Sequence, residues 1–276
     1  MRLVSSNLLK MGFLGGGKTA QAMAKGFISA GLVSAKNITA SFSPNDEVNM
    51  REFKEMGCET FVDNMPVVKQ SEVVFISVKP WIVPTVLQRV NMASADKLFI
   101  SVAMGLGLAE LEASLLPTAR VVRVMPNTPT LVRCGAAVYV RGKAATDDDC
   151  SLVQTLFESV GTCEEVTEAL IDPITALSGS GPGYVFTFIE AMADGAVKMG
   201  LSRDIAYRLA AQTVMGAGKM VLESGAHPGQ LKDDVASPAG STIAGLSFLE
   251  KHAFRHIVSG AIETATLRCR EVSKKK

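Results

Sequence analysis

The ten residues MGFLGGGKTA, Met11 to Ala20, decide how the rest of the chain is read. An apolar run enters three consecutive glycines, and Gly15, Gly17 and Ala20 fall at the spacing G-x-G-x-x-A. Leu8 to Leu14 reads as a strand. Ala20, Met23, Ala24, Phe27 and Ile28 recur at helical spacing, so the glycines join a strand to a helix. In that setting Gly15 permits a tight turn, Gly17 lets a pyrophosphate approach the backbone, and Ala20 lets helix and strand pack closely. Gly16, Lys18 and Thr19 complete the turn, whose backbone N-H groups sit at the positive end of a helix. A stop at Gly31 and a second strand over Asn37 to Ser41 complete a β-α-β unit.

The end of that second strand selects the dinucleotide. A ribose 2'-hydroxyl is ordinarily held by Asp or Glu there, yet the chain reads Ala40, Ser41, Phe42, Ser43, Pro44 before Asn45 and Asp46. Hydroxyls at Ser41 and Ser43, with Arg51 or Lys54 nearby, suit a 2'-phosphate. NADPH is therefore the expected cofactor, with NADH as the alternative.

Further apolar runs, Val73 to Val78, Leu98 to Val102, Arg120 to Val124 and Ala136 to Val140, alternate with helical stretches and predict a mostly parallel sheet. Strand carboxyl ends face the ligand crevice in such sheets. Val78, Lys79, Pro80, Ala103 and Met104 are thus candidate cofactor contacts, and Asn127, in Met125 to Pro129, is a candidate at the nicotinamide end.

After about Glu168 the strand signal stops. Tyr184 to Met199, Ile205 to Glu223, Thr242 to His252 and Phe254 to Val272 read as helices rich in small residues, entered through Gly179 to Gly183. The expectation is an α/β fold of two domains, a Rossmann-like dinucleotide-binding domain over 1–167 and an all-α domain over 168–276 whose apolar faces call for a second chain.

Ser237, Pro238, Ala239, Gly240, Ser241 and Thr242 enter one of these helices. Ser237 suits an N-cap and Pro238 the first helical position, leaving the N-H groups of Ala239, Gly240, Ser241 and Thr242 for a carboxylate, with the Thr242 hydroxyl beside them.

With 47% hydrophobic residues, 20% charged residues and a net charge of +1 over 276 residues, the chain reads as globular, with no basic stripe for nucleic acid and no apolar run of membrane-spanning length. Five cysteines, odd in number and unpaired in spacing, argue against a disulfide framework or a zinc site, and His252 with His256 is too few for a metal. Met1 to Lys10 carries only a faint transit-peptide character, and the basic tail Lys274 to Lys276 reads as solvated. The expected compartment is the cytoplasm, with the mitochondrion second.

The motifs GFLGGG (Gly12 to Gly17), SVKP (Ser77 to Pro80), MPNTP (Met125 to Pro129), LSGSGPGY (Leu177 to Tyr184) and HPGQLKDDVASPAGSTI (His227 to Ile243) together resemble the pyrroline-5-carboxylate reductase family over nearly the whole chain. The resemblance implies NAD(P)H-dependent reduction of 1-pyrroline-5-carboxylate to L-proline, the last step of proline biosynthesis. It implies that the helical part is a dimerisation domain and that the homo-oligomer is a dimer assembled into a homodecamer, a pentamer of dimers. The short C-terminal end resembles the cytosolic members. By the same resemblance Thr242 is the catalytic residue, its hydroxyl contacting the ring nitrogen, and Ser237, Ala239, Gly240 and Ser241 supply groups to the substrate carboxylate. Glu168 aligns with a substrate-site position, Asp234 with a substrate or cofactor position, and Asn64 with a cofactor contact near the adenosine. The chain departs from the family at Ala239, where a second glycine is common, and at Ser241, where Thr or Ala is common. Two other readings stay open: a 3-hydroxyacid-type NADP reductase using Lys198 or Lys219, and a non-catalytic NADP(H)-binding sensor.

Overall fold

The computed structural model describes residues 9–274. Eight strands form one sheet: β1 (Met11–Leu14), β2 (Ile38–Ser41), β3 (Glu59–Phe61), β4 (Val73–Ile76), β5 (Leu98–Ser101), β6 (Arg120–Met125), β7 (Gly135–Arg141) and β8 (Gly161–Glu165). Their order is β3-β2-β1-β4-β5-β6-β7-β8. β1 to β6 run parallel, β7 is antiparallel to β6, and β8 is parallel to β7. Strands β1, β2, β4 and β5 are buried at every position, the pattern of a sheet covered on both faces. The first strand begins at Met11 rather than at Leu8, which lies outside the described residues with the rest of 1–8 and with 275–276.

The helices α1 (Lys18–Ser29), α2 (Glu47–Glu55), α3 (Asn64–Gln70), α4 (Val83–Val90), α5 (Leu108–Ala113) and α6 (Asp147–Glu158) divide between the two faces. Met11, Phe13 and Phe75 join Met23 and Phe27 of α1, Phe53 of α2 and Phe157 of α6 in one core, where Phe13 and Phe75 stack at 4.7 Å. Leu14, Val74 and Ile76 point the other way and join Val67, Val68, Val86, Leu87 and Leu111 from α3, α4 and α5. Alternate residues of one strand thus enter opposite cores. The reversal of strand order beside β1 opens a crevice at the strand carboxyl ends.

After β8 come the short helix α7 (Ile171–Ile174), a π-turn over Thr175–Gly179, and then α8 (Gly181–Lys198), α9 (Arg203–Ser224), α10 (Pro228–Val235), α11 (Ser241–Lys251) and α12 (Phe254–Lys274). The chain divides into two compact units: residues up to Gly179 with Thr266 onward, and Ser180–Ala265. The cut falls after 167 because Ile171 is buried in the α3-α4-α5 core and Asn127 Nδ2 donates to the Ser178 carbonyl at 3.1 Å. In the second unit only Ala193, Ala206 and Ala210 form a buried cluster, while Phe186, Leu209, Met215, Leu222, Phe248 and Ile257 stand exposed. Among the described residues no helix is long and apolar enough to cross a membrane.

Candidate functional site

The β1-α1 turn is built for close approach. Gly15 has φ +94°, a left-handed conformation that disfavours a side chain, and a Cβ there would stand 2.7 Å from Val78 Cγ1. At Gly16 a Cβ would lie 2.1 Å from the Phe42 ring. Gly17 differs: it is the N-cap of α1, makes no side-chain cap, and has no atom within 4 Å of where a Cβ would point. That opening lies at the positive end of a 12-residue helix. Ala20 is fully buried against the sheet, while Lys18 and Thr19 are exposed.

Two side chains that sequence reasoning passed over hold this turn. Ser77 Oγ donates to the Gly15 carbonyl at 2.6 Å, tying β4 to the turn. Gln21, buried in α1, donates from Nε2 to the Gly16 carbonyl at 3.1 Å and to Asn49 Oδ1 at 2.7 Å. Ser77 was accessible to the same strand-end rule that picked out Val78; a buried Gln in a helix carries no such signal.

At the end of β2, Ser41 is buried and donates its hydroxyl to Asn64 Oδ1 at 2.6 Å. The expectation that Ser41 itself donates to a 2'-phosphate is revised accordingly: its hydrogen is engaged, and Ser43 is the exposed hydroxyl. Asp46, the first carboxylate after the strand, caps α2, with Oδ1 accepting from Asn49 N at 3.4 Å and Asn49 Nδ2 at 2.8 Å. The strand itself ends in Ser41 with no carboxylate, and the first acid after it, Asp46, is engaged as the cap of α2, an arrangement that suits a phosphorylated ribose.

A cleft of about 210 Å³ opens at the ends of β1, β5 and β6, lined by Lys18, Thr19, Met104, Asn127 and Leu131 with Gly179. Met104 is exposed and Ala103 beside it is buried. The Asn127 amide is committed at both ends, since Oδ1 accepts from Ala136 N at 2.9 Å and Nδ2 donates to Ser178 O. A larger, more open hollow of about 560 Å³, bounded by Pro84, Gln88, Asn91 and Ser114, contains none of the sequence candidates.

Glu168 belongs to the first unit. Its Oε1 accepts from Arg123 Nη1 at 2.9 Å and from Leu108 N at 2.7 Å, joining β6 to the start of α5. Ser237 to Thr242 and Asp234 belong to the second unit, where Asp234 accepts from Gln230 Nε2 at 2.7 Å.

The structure corrects the reading of the Ser237 turn. Pro238 and Ala239 are the middle of a four-residue turn closed by Gly240 N donating to Ser237 O at 3.1 Å, and Ala239 has φ +57°. Pro followed by a left-handed residue is the signature of a type II turn, so Ser237 is not the N-cap and Pro238 is not the first helical residue. The N-cap is Gly240, without a side-chain cap, and α11 starts at Ser241. The Gly240 N-H is spent on the turn. The N-H groups of Ser241, Thr242 and Ile243 are the ones at the helix start, with no partner among the described residues. Glycine fits at 240, where a Cβ would lie 2.4 Å from Ser237 Oγ.

Elsewhere, Lys219 lies on an exposed face of α9 against Glu223 at 3.5 Å, and the described residues hold no group of three or more His, Cys, Asp or Glu suited to a metal.

Comparison with known proteins covers both halves. The family model described as pyrroline-5-carboxylate reductase dimerisation matches residues 168–272, and that described as NADP oxidoreductase, coenzyme F420-dependent, matches residues 10–105. Pyrroline-5-carboxylate reductase 3 of Mus musculus is 44% identical over 276 residues, the full length of both chains. Pyrroline-5-carboxylate reductase 2 of Bos taurus is 44% identical over 96% of this chain and 84% of its own length. Among solved structures, the Plasmodium falciparum pyrroline carboxylate reductase with NADP bound superposes with a TM-score of 0.87 at 33% identity, covering 96% of this chain and 98% of that one. The Coxiella burnetii pyrroline-5-carboxylate reductase gives 0.88 at 32% identity with the same coverage.

Proposed function

The chain belongs to the pyrroline-5-carboxylate reductase family, and from that premise we propose that it reduces the C=N bond of 1-pyrroline-5-carboxylate to give L-proline, with NADPH as the preferred reductant. The observation that carries the cofactor assignment is the pairing of an open, N-H-lined Gly17 turn with a strand end whose nearest acid, Asp46, is already used as a helix cap. The dinucleotide residues are Gly15, Gly16, Gly17, Lys18, Thr19, Ala20, Ser43, Asn64 and the strand-end residues Val78 to Pro80, Ala103, Met104 and Asn127, with Ser41 acting through Asn64. Asp234 is carried as a further contact by family alignment. By family the domains are 1–167 and 168–276, the dimerisation model beginning at 168, while the compact units divide after Gly179.

The reduced nicotinamide supplies the hydride. The Ser241, Thr242 and Ile243 N-H groups hold the substrate carboxylate, with Ser237, Ala239 and Gly240 shaping the turn. The Thr242 hydroxyl would donate a hydrogen bond to the ring nitrogen and offset the charge left there when the C=N carbon takes hydride and the π pair moves to nitrogen, which then takes a proton from solvent water. Orientation of two bound reactants contributes much of the rate, so no acid-base dyad is required. Glu168 is carried as a substrate-site residue by family alignment.

The proposal extends to a homodimer made by the second unit, assembled into a pentamer of dimers in the cytoplasm. The exposed Phe186, Leu209, Met215, Leu222, Phe248 and Ile257 support association, because monomers rarely leave so much apolar surface in water. Light scattering on the eluting protein tests the assembly, and a monomer at working concentration removes it. The activity is tested by following NADPH oxidation with pyrroline-5-carboxylate, with a 3-oxoacid and with no substrate. Turnover only with the first is expected; turnover with the 3-oxoacid, or with neither, overturns the assignment.

A further inference from the structure

The chain has a single tryptophan, and it is neither buried nor absorbed by the site described above. Trp81 is 70% exposed, in the turn Pro80–Ile82 that follows the carboxyl end of β4 and leads into α4. The turn is anchored: Val78 packs beside Gly15, Ser77 bonds the Gly15 carbonyl, and Ile82 N donates to Lys79 O at 2.9 Å. The Lys79 ammonium stands over the indole at 5.3 Å from its centroid, a cation-π contact that helps fix the ring.

The surroundings indicate what the ring is for. Helix α4, which Trp81 precedes, lies on the same sheet face as α3, because Val67, Val68, Val83 and Leu87 share one core. Helix α3 opens with Asn64, which holds Ser41 at the end of β2. The ribose-selecting residues and Trp81 therefore flank the phosphate turn at the same edge of the sheet, from the β2 and β4 sides. Val62, after β3, and Ile82 are exposed there as well. Trp81 and the Ser41-Asn64 pair thus stand after the carboxyl ends of β4 and β2, the two strands that flank β1.

We propose that Trp81 is the stacking platform for the adenine of the dinucleotide. The inference rests on the dinucleotide reading above and assigns the base to a residue that the glycine motif does not contain. Stacking on an aromatic side chain tolerates any base and adds affinity without hydrogen bonds.

The probe is 2',5'-ADP, which carries adenine and the 2'-phosphate but no nicotinamide to absorb tryptophan emission. It is titrated into the full-length protein while Trp81 fluorescence is recorded, and its affinity for wild type, Trp81→Ala and Trp81→Phe is measured by calorimetry, with reduced nicotinamide mononucleotide as an adenine-free control. Expected are a saturable change in Trp81 emission, a Kd raised roughly five- to a hundredfold in Trp81→Ala, recovery in Trp81→Phe, and no change for the mononucleotide. Wild type and Trp81→Ala binding 2',5'-ADP equally, with emission unmoved, overturns the platform and leaves the dinucleotide site standing. Failure of wild type to bind 2',5'-ADP overturns both. A Trp81→Ala protein that keeps its affinity but changes its state of association assigns the ring to a protein contact and overturns the platform.

Discussion

Gly16 and Gly17 are neighbours with opposite duties. A methyl at 16 drives into the Phe42 ring, so Gly16→Ala is expected to lose about 1–3 kcal/mol of stability, seen as a lower urea midpoint. A Cβ at 17 has no protein atom within 4 Å, so Gly17→Val is expected to keep the fold and to lose dinucleotide binding. Micromolar NADPH affinity in that variant would contradict the assignment of the turn. Thr242 is the residue on which the chemistry turns. Thr242→Ala is expected to lower kcat/KM by roughly ten- to a thousandfold, about 1.4–4 kcal/mol, with NADPH affinity little changed. An unaltered rate removes its hydroxyl from the mechanism.

Among the elements, the Arg123-Glu168 pair illustrates what only coordinates reveal. Arg123 sits inside β6 with a side chain 10% exposed, against a Glu168 carboxylate 41% exposed that also caps the Leu108 N-H. Removing the carboxylate leaves a buried guanidinium and a helix N-H without a partner. Glu168→Ala should therefore cost about 1–3 kcal/mol, read as a fall in Tm; an unchanged Tm denies the pair a structural role. The central strands were legible because burial on both faces makes them continuous apolar runs, as in Val73–Ile76. β3 and β8 were not. Glu59–Phe61 is a three-residue edge strand, and Gly161–Glu165 is mostly exposed and acidic, so neither carries a hydrophobic period. The start of α11 was misread because Ser-Pro is shared by helix N-termini and by turns; the positive φ of Ala239, which decides between them, has no sequence signature in an alanine. The strand-to-helix turn at Gly15 to Gly17 was legible because a glycine run between an apolar strand and an amphipathic helix is a local pattern, whereas Ser41's engagement with Asn64 depends on a residue 23 positions away.

At the scale of the molecule, buried thiols set a limit on alkaline stability. Burial raises Cys58 from the ordinary 9.0 to about 11 and Cys163 to about 12. The folded protein then holds these protons more tightly than the unfolded chain does. Their contribution is complete below pH about 9 and is lost as the pH climbs through about 11 to 12. The urea midpoint should fall as the pH rises above about 9, and at pH about 8 a thiol reagent should modify the exposed Cys134 while Cys58 and Cys163 react only on unfolding. A midpoint that does not fall, or rapid modification of all cysteines in the folded protein, contradicts this. The central claim, that a ring imine is held by main-chain amides for hydride transfer, is tested most directly by a crystal structure of the assembled protein with NADP and proline. The account predicts Thr242 Oγ1 about 2.6–3.2 Å from the ring nitrogen and the substrate ring carbon about 3–3.5 Å from nicotinamide C4. A carbon-to-carbon separation beyond about 6 Å, or a proline carboxylate held away from the Ser241 to Ile243 amides, would contradict it.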